Sequence, residues 1–177
     1  MDVELISETL EAMSDPSVAR KASRQTHTLK GIRGVSHGEI ARIGAAAWQE
    51  HHPTRADEDA LRQLFMSAYE DGLVAIGLLA TLVPKHPRDA YEIGIGWLDL
   101  VDEVETADAL GWMVIGPGFA ATGAEAGRLE ELLESKKTAH VAVRRALAAM
   151  ALAFLPTPVT GPSAAPLRQA LSHLRPT

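Results

Sequence analysis

From residue 3 to residue 155 the apolar side chains recur every three or four positions, and nowhere do Val, Ile and Thr alternate with polar residues between hairpin turns. That period commits the chain to helices. Leu5, Ile6, Leu10 and Met13 mark a first helix over 3–13, and Ser14-Asp15-Pro16 closes it while offering an N-cap and an N1 proline to a second helix that runs to about Leu29. After Gly31-Ile32-Arg33-Gly34-Val35, the S-x-x-E pattern of Ser36 and Glu39 opens a third, with Ile40, Ile43, Ala47 and Trp48 on one face, and His52-Pro53 ends it.

Three blocks follow, each joining an amphipathic helix to a more apolar one. The first pairs Asp57–Tyr69 with Leu73–Val83, divided by Gly72 and stopped by Pro84. The second pairs Asp89–Leu100 with Glu105–Ile115, broken by Gly116-Pro117-Gly118. The third pairs Glu125–Ser135 with Thr138–Leu155. One such pair cannot bury its own apolar face. Repetition at intervals of roughly 40 residues therefore predicts an all-α, HEAT-like α-solenoid of stacked antiparallel helix pairs in a superhelix. The expected domain is 1–155, followed over 156–177 by a Pro-rich linker and a short helix, Leu167–Leu174.

With 23 acidic against 17 basic residues the net charge is −6, so affinity for nucleic acid has to come from a local basic patch. The absence of Cys excludes a disulfide framework and a thiolate nucleophile. Met1-Asp2-Val3-Glu4 is not a secretory n-region, and Leu73–Val83 and Ala146–Leu155 are too short to span a bilayer. These features lead to the expectation of a soluble, cytoplasmic protein without a membrane partner. Cofactors and metals are not expected: His51 and His52 are adjacent on a helix and point apart, and they are better explained as favourable cations at a helix C-terminus. Gly116-Pro117-Gly118-Phe119-Ala120-Ala121 fits G-x-G-x-x-A, but the apolar run before it has the helical period, which argues against a dinucleotide site.

Three segments, in this order, carry a family resemblance: Gly34-Val35-Ser36 opening an early helix, Trp97-Leu98-Asp99-Leu100-Val101-Asp102, and Val143-Arg144-Arg145-Ala146 in an apolar helix. Together, over about 19–155, the chain resembles the HEAT-repeat DNA alkylation repair family, the bacterial alkylpurine DNA glycosylases. The resemblance implies duplex DNA as partner and hydrolysis of the N-glycosidic bond of an alkylated base. It gives Asp102 the role of stabilising the sugar cation that develops as the bond breaks, which suits a carboxylate. Asp99 lies close before it, and Trp97 and Asp99 are the cleft candidates. Arg145 matches an arginine that contacts the DNA backbone, and a guanidinium fits phosphate in a bidentate way. Around it, Lys137, His140 and Arg144 complete the densest basic group.

Each assignment has a plainer counterpart. Asp99, Asp102 and Glu103 suit the capping of a following helix, and Arg144 and Arg145 suit pairing with Glu130, Glu131 and Glu134. Lys30, Arg33, Lys85 and Arg88 read as ordinary surface cations. Leu98 and Ala142 stand where the family tends to place aromatic rings, which weakens stacking on a cationic base and predicts feeble base release. The alternative is a non-catalytic helical-repeat scaffold that binds a protein partner.

Overall fold

The computed structural model describes residues 1–26, 28–122, 143 and 145–147. Among these the protein is helical, and the only β-type pairing is one isolated bridge between Gly31 and Ala68. Eight α-helices lie within the first 122 residues: α1 Val3–Ala12, α2 Pro16–Ala22, α3 His37–Glu50, α4 Glu58–Ser67, α5 Tyr69–Ala80, α6 Pro87–Trp97, α7 Val104–Leu110 and α8 Gly116–Thr122. Val143 and Arg145–Leu147 are also helical, whereas the helix expected over 125–135 and the linker and tail of 156–177 lie outside the described residues.

Local chemistry explains the helix starts. Asp2 Oδ1 accepts from the Leu5 N–H, Asp15 Oδ1 from the Ser17 and Val18 N–H groups, and Ser36 Oγ from the Glu39 N–H, so that orphan donors are satisfied at three N-termini. Pro16 and Pro87 enter α2 and α6 in the first turn, where a missing N–H costs nothing. At the C-terminal side of α3, His52 Nδ1 lies 2.9 Å from the Trp48 carbonyl oxygen, in keeping with a histidine placed to satisfy a helix end.

The core is organised around α5. Val74, Ala75, Ile76, Leu78 and Leu79 are all buried, and α5 touches α1, α3 and α4 on one side and α6, α7 and the π-helical turn Gly111–Ile115 on the other. A helix enclosed this way must be apolar around most of its circumference, as the run from Leu73 to Ala80 is. Val143, Ala146 and Leu147 join the same core.

Three boundaries differ from the sequence expectation. The first block divides at Ala68, not Gly72: Ala68 is extended (φ −138°, ψ 172°), and the Tyr69 N–H donates to the Gly31 carbonyl at 2.9 Å. Gly72 instead lies inside α5, where a Cβ would approach the Phe65 carbonyl oxygen to 3.3 Å. The second helix stops at Ala22, because none of its residues is buried and packing does not extend it. Finally, Gly116-Pro117-Gly118 does not break the chain. Helical geometry persists through Gly111 (φ −63°, ψ −49°) and Gly116 (φ −60°, ψ −57°), and the π turn just before Pro117 absorbs the missing N–H and the crowding of its ring. Gly118 permits close approach of α8 to α6, since a Cβ there would sit 3.0 Å from the Pro87 carbonyl oxygen.

Candidate functional site

The approach to α7 gathers the charged residues that the sequence singled out. A 3-10 turn, Leu98–Leu100, follows α6, and Val101 (φ −78°, ψ 123°) turns the chain into the Asp102-Glu103 pair. The two carboxylates divide the work. Glu103 caps α7, accepting from the Glu105 N–H at 2.9 Å and from the Thr106 N–H. Asp102 is thereby free of the capping role and reaches across the molecule, where its Oδ2 accepts from Thr28 Oγ1 at 2.9 Å and from the Leu29 N–H at 2.6 Å. Its other oxygen, Oδ1, is buried and has no hydrogen-bond partner among the described residues. A carboxylate held by one oxygen while the other is unsatisfied is costly, and such a group is a candidate for function on that ground.

The segment that holds Asp102 is itself pinned. The Lys30 N–H donates to Thr28 Oγ1 at 3.1 Å, while Lys30 Nζ donates to the Phe65 carbonyl at 2.7 Å and sits 3.7 Å from the centroid of the Phe65 ring. Burial lowers the pKa of the Lys30 ammonium, and the negative charges of Asp102 and Glu103 oppose that shift. Phe65 in turn stacks on Trp97, with centroids 4.8 Å apart and planes 23° apart. Trp97 is only 1% exposed and its buried Nε1 has no partner among the described residues, so this indole belongs to the core and does not line an open cleft. Leu98 is buried as well, which makes the aliphatic residue at that position a packing choice. Asp99 is exposed on the 3-10 turn.

Arg145 also reaches α7. Its Nε and Nη2 each donate to an oxygen of Asp108 on α7 at 2.7 Å, a bidentate pair in which the arginine side chain remains half exposed. The Asp108 carboxylate raises the guanidinium pKa, with a smaller contribution from Glu103. The expected partners Glu130, Glu131 and Glu134 lie outside the described residues, as do Lys137, His140 and Arg144. A third arrangement completes the neighbourhood: Tyr69 O–H donates to Glu105 on α7, whose other oxygen lies against His37 Nε2. Burial, then the Glu105 carboxylate, pushes the Tyr69 phenol above its ordinary pKa, so it remains a donor.

Arg33 is not the surface cation that its position suggested. It donates through Nε to Asp71 Oδ2 at 2.7 Å and through Nη2 to Ser7 Oγ at 2.8 Å, and it also pairs with Glu11. Beside it, buried Glu70 accepts from the N–H groups of Arg33, Gly34 and Val35. The loop motif Gly34-Val35-Ser36 is therefore bound to the first turn of α5, and Gly34, at φ +82°, takes a conformation that favours glycine. Sequence reasoning missed Thr28, Leu29, Glu70, Asp71 and Asp108; two consecutive acids opening an apolar helix, Glu70-Asp71, were the one available signal.

Among the described residues, no group of three or more His, Asp or Glu side chains is arranged to hold a metal ion, and no helix is long and apolar enough to cross a membrane. The site is thus a set of carboxylates on α7 and on the turn before it, with two nearby cations, in a protein whose described residues are helical. The family model for DNA alkylation repair enzymes matches residues 6–163, and the chain belongs to that family. No curated protein and no solved structure gives a significant match. Membership supports a role related to DNA repair.

Proposed function

We propose that this protein is a HEAT-like α-solenoid over residues 1–155 that binds duplex DNA and hydrolyses the N-glycosidic bond of alkylated bases, with Asp102 as the charge-stabilising residue. The observation that carries the reading is the position of Asp102: Glu103 takes over the capping of α7, and Asp102 is directed by Thr28 and Leu29 instead. As the bond from C1′ to the base nitrogen breaks, the sugar becomes cationic. A carboxylate fixed before the reaction stabilises that charge without reorganising. The base departs as a neutral molecule with the electron pair of the broken bond, and water supplies the hydroxyl to C1′ and gives up its proton to the solvent. An alkylated purine is already cationic, so the bond is weakened in advance and little acid catalysis is needed.

Arg145 is the proposed phosphate ligand, joined by Arg144, Lys137 and His140, and Asp108 presents its guanidinium in a fixed, half-exposed orientation. The pairing has a cost, because the arginine must exchange one anion for another when phosphate arrives. That neutralised cation, near Glu103, is also the observation favouring the second reading, a scaffold for a protein partner. Titration of duplex DNA over a range of salt separates the two. Under the first reading affinity falls steeply as salt rises, since phosphate contacts release condensed counterions. An absence of duplex binding at low salt would favour the scaffold.

A further inference from the structure

None of the seven residues of α2 is buried, yet the helix is fixed at its start. Asp15 caps it, the Asp15 N–H donates to the Arg33 carbonyl at 3.0 Å, and Gly34 packs so close that a Cβ there would sit 2.5 Å from the Ala19 nitrogen. A helix that buries nothing gains little from packing, so its outward side chains are what it contributes. Arg20 and Lys21 occupy its last turn. Arg24 follows in a turn that continues the helical bonding, with the Ser23 N–H donating to the Ala19 carbonyl and the Thr26 N–H to the Ala22 carbonyl. At 3.6 residues per turn the three cations fall within an arc of about 100°, all of them exposed. A helix C-terminus favours cations, but no other α-helix among the described residues has one in its last turn. Elsewhere Arg33, Arg42, Arg55, Arg88 and Arg145 are paired with carboxylates. Among the described residues Arg20, Lys21 and Arg24 have no such pair: Arg20 Nε donates to the Pro16 carbonyl at 3.1 Å, and Asp15, whose charge Arg20 feels, is taken up by Ser17 and Val18. In a chain of net charge −6 this is a local positive face without counterions of its own.

We propose that the Arg20, Lys21 and Arg24 face of α2 holds the phosphates of duplex DNA close to the nucleotide that lies over Asp102, as an anchor separate from Arg145. The inference rests on the DNA-binding reading above and adds an interaction surface to it. Arg24 is four residues from Thr28, whose hydroxyl donates to Asp102. Four residues reach at most about 14 Å, which is about four base pairs at a rise of about 3.4 Å, so a backbone seated on α2 brings nearby nucleotides to the carboxylate. The contacts carry no base information and leave the stack intact; they set the register of the duplex on the protein. Arg145 has to give up Asp108 before it takes a phosphate, whereas the α2 cations have no carboxylate to release, which suits them to the first encounter. An acidic protein would meet the same charge, but Val18 is the one large apolar side chain that α2 exposes, which is little for the apolar centre of a protein interface.

The test uses the full chain and a fluorescein-labelled duplex carrying an abasic-site analogue, whose sugar marks the place of Asp102, with affinity followed by anisotropy over a range of salt. The triple variant Arg20→Gln, Lys21→Gln, Arg24→Gln should keep its thermal midpoint within about 2 °C, because the three side chains are solvated. Its affinity should fall about 10- to 100-fold at low salt, and the slope of log K against log salt should become shallower by about 2 to 3, close to 0.9 for each phosphate lost. Arg62→Gln, Lys85→Gln, which removes two exposed cations elsewhere, should leave the slope unchanged. Neutral methylphosphonate linkages placed in either strand within four nucleotides of the abasic analogue should weaken wild type and leave the triple variant indifferent. A triple variant with wild-type affinity and slope would overturn the α2 anchor and give that face to an acidic protein partner, with the DNA-repair reading left standing. A loss matched by the Arg62 and Lys85 control, or one to which every methylphosphonate adds in full, would also overturn it. Failure of wild type to bind duplex DNA would overturn the reading on which it rests, and the anchor with it.

Discussion

Replacing Arg33 with Met removes the partner of a carboxylate that has no access to water. Asp71 is fully buried, and among the described residues its side chain accepts from Arg33 Nε and Nη2, at 2.7 and 3.3 Å. Breaking a buried pair by deleting one member costs about 3–5 kcal/mol, because the remaining charge is left uncompensated. The position of Asp71 in the first turn of α5, where the helix dipole favours an anion, places the expectation toward the lower end. Loss of the contacts to Ser7 and Glu11 adds little, since Glu11 is largely exposed. For a chain of this size the predicted fall in thermal midpoint is about 6–20 °C, measured by circular dichroism at 222 nm. The double variant Arg33→Met, Asp71→Leu removes both charges and should recover most of the loss, to within about 1–2 kcal/mol of wild type. A single variant within about 1 kcal/mol of wild type, or a double variant no better than the single, would refute the reasoning that Arg33 exists to neutralise Asp71.

Gly34→Ala should be strongly destabilising, by about 3 kcal/mol or more, because φ is +82° and a Cβ would lie 2.5 Å from the Ala19 nitrogen and closer still to the Asp15 carbonyl oxygen; chemical denaturation measures it. Asp57 is held at a pKa of about 2, below its usual 3.8: burial would raise it, but hydrogen bonds from His51, from the Thr54 N–H and hydroxyl, and from the N-terminal ammonium outweigh burial. A depressed carboxylate stabilises fully above its unfolded pKa and ceases to do so as pH falls from about 4 to about 2, so a contribution on the order of 1–2 kcal/mol should vanish in that window, and Asp57→Asn should flatten the acid limb of the stability profile. Arg145→Ala should weaken binding to all duplex sequences alike and reduce the salt slope by about 1, whereas Asp108→Ala, which releases the guanidinium, should tighten binding.

The helical period and the short-range caps were legible in the sequence because they depend on neighbours within four residues. Asp15 before Pro16 and Ser36 before Glu39 cap α2 and α3 as their spacing indicates. What could not be read were decisions made across the fold. Ala68 is extended because Gly31, far away in sequence, offers a carbonyl, and Gly72 looked like the break only because glycine often is one. Gly116-Pro117-Gly118 resembles a stop, yet tertiary packing on α6 and a π turn carry the helix through it. The site shows the same division. Asp102 and Glu103 are adjacent and chemically alike, so sequence could equally make either one a cap, and only the placement of Thr28 and Leu29 separates them. The pairing of Arg145 with Asp108, 37 residues away, again depends on long-range packing.

The most direct measurement is single-turnover release of methylated purines from alkylated duplex DNA by wild type and Asp102→Asn, with duplex affinity determined at the same salt. Asparagine is a sparing substitution here: its carbonyl oxygen can still accept from Thr28 and Leu29, while the carboxylate charge is lost. The wild-type rate is expected to be slow, since Trp97 and Leu98 are committed to the core and present no ring to the damaged base. Asp102→Asn should lower that rate by about 100- to 1,000-fold with affinity nearly unchanged, because the carboxylate acts on charge that appears only in the transition state. Release by Asp102→Asn at the wild-type rate would contradict the account.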